Sequence, residues 1–292
     1  VMSRNIFNLF ARRSLFALTY NWHLWFDHTT HYRVMSVGDT IRKIQNENLS
    51  LIRFGDGELV IIRGRSIPTQ KYDPVLSEKL KNVLCTDENG VLIAIPDIFC
   101  GLDAYQKKSR YFWQEHLFFC RKFYRKLLNI NKLYANAFFS RGYLTLRDHT
   151  ECRNWFDQIK KLWEGKNILL IEGKSSYNGV GNDLFLLAKS IRRIICKPKN
   201  CYENYNDILD EALRIKSDMI LLSVGATAKP LAMDLFYAGH RVIDIGNLNI
   251  EYIAFCHEFD SKEKLSVFLD RNVCSDKEEY QEYRTQIIKN FA

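Results

Sequence analysis

The order of apolar and polar residues divides the chain into stretches of two periodicities. Phe7, Ala11, Leu15, Leu18, Trp22 and Trp25 recur at spacings of three and four, which sets them on one face of an amphipathic helix within residues 1–33. Beyond it, short apolar runs alternate with amphipathic segments. Residues 49–54 predict a strand that ends in an exposed turn, Gly55-Asp56-Gly57-Glu58. Pro74–Leu84 predicts a helix, Val91–Ile95 a strand closed by Pro96, and the aromatic-rich stretch from about 109 to 128 a further helix. In the second half, strands are expected at 167–171, 191–196, 219–224 and 241–245, with helices at 182–190, 205–216 and 227–238. Strand and helix alternating at this rhythm predict βαβ units, hence an α/β fold whose mostly parallel sheet carries helices on both faces. Ligands of such sheets bind beyond the carboxyl ends of the strands. Those ends are 55–58, 172–182, 225–227 and 244–251, all polar and glycine-bearing.

Composition narrows the partners only a little. A chain of 292 residues, 47% hydrophobic and 26% charged, has an ordinary globular balance. The net charge of +8 favours anionic partners: a nucleotide, a nucleic acid, an acidic glycan or an anionic membrane face. No nucleic acid is expected, because no recognisable module or concentrated basic helix stands out. Eight cysteines without a C-x-x-C pair read as reduced thiols of a cytosolic protein rather than as a zinc site. His28-x-x-His31 lies in a polar, turn-like stretch and is not read as a metal site. No segment approaches the ~20 apolar residues of a membrane span, and Arg12 and Arg13 interrupt the first apolar run where a secretory signal would have its core. The N-terminal helix keeps two readings, one lying on the inner leaflet of a membrane and one packing on its own domain or a partner subunit.

Chemistry is concentrated at the strand ends. Asp56 and Glu58, two residues apart beside Gly55 and just after a buried strand, suit Mn²⁺ or Mg²⁺ that also grips a diphosphate, since hard cations take oxygen ligands. Gly225 to Thr227 joins a strand to a helix, where backbone N–H groups either hold a phosphate or simply make a tight turn. Gly179 and Gly181 permit close approach of a ligand, while Asn182 or Asp183 either meets it or caps the next helix. Glu251 is a candidate general base, with a surface carboxylate or a salt-bridge partner as the alternative.

Taken together, these segments resemble the bacterial GT-D glycosyltransferases, a family first catalogued as a domain of unknown function. The resemblance runs from about Met35 to Phe259. It rests on Arg53-Phe54-Gly55-Asp56-Gly57-Glu58, Ile95-Pro96-Asp97, Phe112-Trp113, Ser140-Arg141-Gly142-Tyr143 and Ile171-Glu172-Gly173. Further on it rests on the run from Gly179 to Phe185, Gly225-Ala226-Thr227-Ala228, Asp244-Ile245-Gly246 and Ile250-Glu251-Tyr252. The family commonly has Thr-Arg-Pro-Tyr at 140–143, Thr-Arg where Ser176-Tyr177 stands, and His and Asp where Asn247 and Asn249 stand.

The resemblance implies a Rossmann-like domain over 34–260, between the extension 1–33 and a helical tail at 261–292. It implies a metal at Asp56 and Glu58, and nucleotide-sugar contacts from Arg53, Gly55, Arg141, Gly181, Asn182, Asp183, Gly225, Thr227 and Asp244. Glu251 would then be the catalytic base. The expected activity is metal-dependent transfer from a nucleotide diphosphate sugar, typically UDP-linked, to a glycan or lipid-linked glycan in surface polysaccharide or glycoprotein synthesis. The expected place is the cytoplasm, peripherally on the inner membrane. A nucleotide-sugar-binding protein without transfer activity is the alternative, with a basic nucleic-acid-binding protein ranked behind it.

Overall fold

The computed structural model describes residues 2–261, 263–266, 268 and 278–292. Its helices are α1 (Met2–Phe26), α2 (Val37–Asn46), α3 (Asp56–Ile62), α4 (Pro74–Leu84), α5 (Lys107–Leu127), α6 (Cys152–Lys161), α7 (Tyr205–Arg214), α8 (Ala228–Tyr237), α9 (Leu248–Cys256) and α10 (Glu278–Gln286). The strands are β1 (Arg33–Val34), β2 (Ser50–Arg53), β3 (Val91–Ile95), β4 (Leu133–Asn136), β5 (Asn167–Gly173), β6 (Ser190–Cys196), β7 (Met219–Ser223), β8 (Val242–Asp244) and β9 (Ile287–Asn290). They form one nine-stranded sheet in the order β1-β4-β3-β2-β8-β7-β5-β6-β9, with every neighbouring pair parallel. All four residues of β2 and six of the seven in β5 are buried, as a parallel sheet covered on both faces requires.

Local signals set most of the helix starts. Ser36 caps α2 by accepting from Asp39 N, and Asp73 caps α4 ahead of Pro74. Apolar faces then do the packing: Val37, Ile41 and Ile44 of α2 are buried, and α8 sits between α4 and α7 over β2 and β8. The order reverses between β2 and β8, where the first half of the chain meets the second. Parallel sheets open their ligand crevice at such a switch point.

Four expectations change. Gly55–Glu58 is not an exposed turn, because Asp56 opens α3 and Glu58 Oε2 accepts from Gly55 N at 2.7 Å. No helix forms over 182–190. Leu184 and Phe185 turn inward, successive turn bonds join Leu186 to Asp183 and Ala188 to Phe185, and Ser190 already begins β6. Gly179 serves this packing, since at φ +78° a Cβ would stand 2.3 Å from the Phe185 ring. Of the tail expected to be helical at 261–292, residues 262, 267 and 269–277 lie outside the described residues, and its end adds β9 rather than helix to the edge of the sheet. Finally, the Leu15–Leu18–Trp22–Trp25 stripe of α1 does not face its own domain. α1 packs on α5 through Phe16 and Tyr20, and the stripe stays exposed.

One buried ion pair ties the distal half together. Arg193 Nη1 lies 2.5 Å from Glu172 Oε1, at side-chain exposures of 3% and 0%. Glu172 Oε2 accepts from Asn178 N and Nδ2, while Arg193 Nε donates to Gln286 of α10 and its guanidinium covers the Tyr283 ring. Breaking such a pair strands a charge in a dry site. Arg193→Met is expected to cost about 3–5 kcal/mol in urea unfolding, and a loss under about 1 kcal/mol would show that the pair does not organise this half.

Candidate active site

A cleft of about 630 Å³ lies over the carboxyl ends of β2, β5, β6, β7 and β8. That volume is in the range of small-molecule sites. Arg53 and Gly55 reach it from β2, Gly173 and Lys174 from β5, Lys197 from β6, Ser223 from β7, and Asp244 with Asn247 from β8. Five basic side chains line it (Arg53, Arg141, Lys174, Lys197 and Lys229) against three carboxylates, those of Asp56, Glu58 and Asp244. A net positive cleft suits a diphosphate.

Lys229 is at the centre. Its position in the first turn of α8 brings Nζ to 2.9 Å from Glu58 Oε1 and 3.1 Å from Asp244 Oδ2, and Nζ donates to Gly225 O at 3.0 Å. All three charged side chains are nearly inaccessible. Burial by itself would raise the Glu58 carboxyl, but the Lys229 ammonium, the Gly55 N–H and the Arg53 charge together hold it below its ordinary range. Beside this cluster, Gly246 (φ +49°) lies against the Arg53 guanidinium, where a Cβ would fall 2.1 Å from Nη2. Only glycine leaves Arg53 its place.

The cleft offers a divalent ion oxygen donors but no ready cage: among the described residues no three of His, Cys, Asp and Glu converge as a metal site. Glu58 already receives two donors. Asp56 is partly exposed and faces the cleft from the start of α3, with no hydrogen bond or ion pair among the described residues. Mg²⁺ and Mn²⁺ take most of their oxygens from phosphate and water and need only one or two carboxylates from protein. The donor set fits an ion held in that way, with Asp56 the available ligand and Glu58 beside it.

Of the residues expected at the site, Arg53, Gly55, Asp56, Glu58, Arg141, Gly225 and Asp244 line this one cleft. The others lie elsewhere. Thr227 is wholly buried. Gly181 and Asn182 line a separate hollow beside α10, where Asn182 Nδ2 donates to Asn249 Oδ1. Asp183 takes the Tyr252 hydroxyl and lies 3.2 Å from Lys160 Nζ, and these two partners hold its carboxyl below the usual range against the opposing effect of burial. Glu251 is 2% exposed and accepts from Leu144 N at 2.8 Å. In this conformation it does not reach the cleft, and a base must come within hydrogen-bond reach of the hydroxyl it serves. Asn247 lines the cleft, whereas Asn249 clamps the 177–182 loop by accepting from Gly179 N and donating to Tyr177 O. That second bond needs the amide N–H₂, which an aspartate lacks.

Sequence reasoning missed Lys229, Lys174 and Lys197. Lys229 alone left a trace, a lysine in the first turn of a helix that follows a strand. Cations are unfavourable there unless a carboxylate faces them.

Comparison with known proteins agrees with this fold. Residues 51–272 match the family model described as glycosyltransferase GT-D fold. The chain is 37% identical over 266 residues to a probable glycosyl transferase Gly of Streptococcus gordonii, covering 89% of this chain and 39% of that protein. It is 33% identical over 222 residues to glycosyltransferase GlyD of Streptococcus pneumoniae, covering 75% of this chain and 27% of that protein. It thus spans well under half the length of either relative. Among solved structures, one described as domain of unknown function 1792 with a distinct glycosyltransferase fold superposes with a TM-score of 0.83 at 32% identity, over 91% of this chain and 98% of that one. Another, described as a new glycosyltransferase from Streptococcus sanguinis, gives the same score over 89% and 100%. The chain belongs to the glycosyltransferases of GT-D fold.

Proposed function

We propose that this chain transfers a sugar from a nucleotide diphosphate sugar, UDP-linked, to a hydroxyl of a glycan or lipid-linked glycan acceptor, with Mn²⁺ or Mg²⁺ at the diphosphate. The observation that carries the reading is Asp56 facing a cleft lined by five basic side chains at the strand ends of a parallel sheet. The UDP moiety, the glycan acceptor and a cytoplasmic site of action rest on the resemblance of the motifs.

In this reading Arg53, Arg141, Lys174 and Lys197 attract and orient the diphosphate. Gly225 and Ala226, at the entrance to α8, offer backbone N–H groups to it. Lys229, with the Arg53 guanidinium beside it, offsets the charge of Glu58 and Asp244, so that phosphate oxygens approach carboxylates that would otherwise repel them. The ion, when bound by Asp56 with Glu58 beside it, supplies positive charge to the departing diphosphate. Glu251 acts by holding Leu144 and with it the 141–144 segment that brings Arg141 to the cleft.

Asp56→Asn is expected to abolish Mn²⁺-dependent thermal stabilisation by UDP-sugars and to lower turnover ~10²-fold or more, with stability of the free protein kept within about 0.5 kcal/mol. Glu58→Gln behaves differently. It leaves the buried Lys229 with one carboxylate, so the free protein is expected to melt earlier as well as to lose turnover. Full activity of Asp56→Asn, or of the parent in EDTA, overturns the metal assignment. Metal-dependent donor binding without transfer to any acceptor or to water identifies a binding protein instead.

Two substitutions separate the roles of Lys229 and Glu251. Lys229→Met keeps the length and removes the charge, so donor affinity should fall about tenfold or more, whereas unchanged affinity would remove Lys229 from the site. Glu251→Gln still presents a carbonyl oxygen to Leu144 N and should hold turnover within about tenfold of the parent. A loss of ~10²-fold with donor affinity unchanged would restore Glu251 as the catalytic base.

A further inference from the structure

The amino-terminal helix and its neighbour form a surface unlike the rest of the molecule. α1 and α5 run side by side in the same direction, with Arg12 against Glu115, Phe16 against Phe118 and Phe119, and Arg121 over the Tyr20 ring. The inward face of α1 is Phe16 and Tyr20, 7% and 4% exposed. The opposite face presents Leu15, Leu18, Trp22, Trp25 and Phe26, between 50% and 70% exposed. Positions 15, 18, 22 and 25 form a continuous stripe, and Phe118 and Phe119 of α5 are about half exposed as well. A stripe of this size without a partner marks a surface that meets something apolar.

Charge says what that is. α1 and α5 together hold ten Lys and Arg against a single acidic residue, Glu115. The whole chain carries +8, so everything outside these two helices sums to a slight negative charge. Contrary to the expectation from sequence, the positive excess is concentrated on one helix pair, the same pair that exposes the aromatic stripe. Lys107, Lys108, Lys122, Arg125 and Lys126 of α5 are exposed, with Lys108 paired to Glu263 and Arg125 to Asp27. Between the helices lies a small hollow of about 100 Å³ to which Arg121, Lys122 and Arg125 contribute. Basic residues beside exposed Trp, Phe and Leu are the pattern of a helix lying in a bilayer interface, its rings at the headgroup boundary and its cations on lipid phosphate. Among the described residues no helix is long and apolar enough to cross a membrane, so the mode is surface attachment. A nucleic acid would use the cations but leave Leu15, Leu18 and Phe26 in water. A second copy of this chain would bring the same positive face against itself.

We propose that the α1–α5 pair docks the protein on an anionic phospholipid surface, with Leu18, Trp22, Trp25 and Phe26 at the bilayer interface and the exposed lysines and arginines of α5 on headgroup phosphates. This attachment is independent of the transfer chemistry, since none of these residues lines the strand-end cleft.

Co-sedimentation of the chain with phosphatidylcholine vesicles, with and without phosphatidylglycerol, tests it. Binding is expected only with phosphatidylglycerol and should weaken as salt rises. Brominated acyl chains should quench part of the tryptophan emission, and that part should disappear in Trp22→Ser/Trp25→Ser, because Trp113 and Trp163 are buried and the partly buried Trp155 lies on α6, which packs on α2 away from this pair. This variant, at exposed positions, should keep its melting temperature and lose about tenfold or more in vesicle affinity. Lys122→Glu/Lys126→Glu should lose binding to phosphatidylglycerol vesicles likewise. Three results overturn the proposal: no sedimentation at low salt, a dimer in light scattering that the Trp22→Ser/Trp25→Ser substitutions dissociate, or tighter binding to an oligonucleotide that competes with vesicles.

Discussion

The cleft depends on one ammonium group held between two carboxylates. Lys229 arrives from the first turn of α8, Glu58 from the first turn of α3 and Asp244 from the end of β8. Two of these segments, β8 and α8, belong to the second half of the chain and one to the first. The contact therefore fixes how the halves meet at the switch point of the sheet. It is made out of water, so each charge is tolerable only with the others present. The same arrangement leaves Asp56, at the start of α3, as the cleft carboxylate without a partner among the described residues. The cleft thus divides its charges, with Glu58, Asp244 and Lys229 spent on structure and Asp56 facing the open space.

The second buried pair, Glu172–Arg193, plays a corresponding part at the other end of the sheet. It fastens β5 to β6, holds Asn178 in the glycine-bearing loop and reaches α10 through Gln286 and Tyr283. Asn249 adds a clamp from α9 onto the same loop. These polar contacts explain why so much of the 177–183 stretch is committed to structure. Gly179 gives space to Phe185, Asn182 pairs with Asn249, and Asp183 pairs with Lys160 and Tyr252. Glycines and short polar residues read equally well as a ligand loop or as a tightly packed connection, and neighbours distant in sequence decide between the two.

The distribution of charge separates two tasks. The cleft collects cations from five different segments around one space, whereas α1 and α5 array theirs along a helix pair with aromatic side chains between them. A single value of net charge describes both and distinguishes neither. The one sheet holds the strand-end cleft and the helix pair in a fixed disposition to each other, with no residue shared between them.

The sequence by itself determined the alternation of strands and helices, and with it the parallel sheet and the location of the site. Those features follow from local periodicity and from the rule that parallel strands are covered on both faces. It also determined that Asp56, Glu58, Arg53, Arg141 and Asp244 belong to one constellation, because the motifs holding them are short and keep their order. Only the tertiary structure decided which of two adjacent motif carboxylates is engaged. Glu58 is matched by a lysine 171 positions later in the chain, a pairing that no local pattern encodes. It decided likewise that 182–190 is not a helix, since Leu184 and Phe185 gain more from the core than the segment would from a free amphipathic turn. It turned Glu251 away from the cleft toward Leu144, and left outward the α1 stripe whose periodicity fitted a buried face equally well. Periodicity gives the face of a helix, and the shape and charge of what lies opposite decide what that face meets.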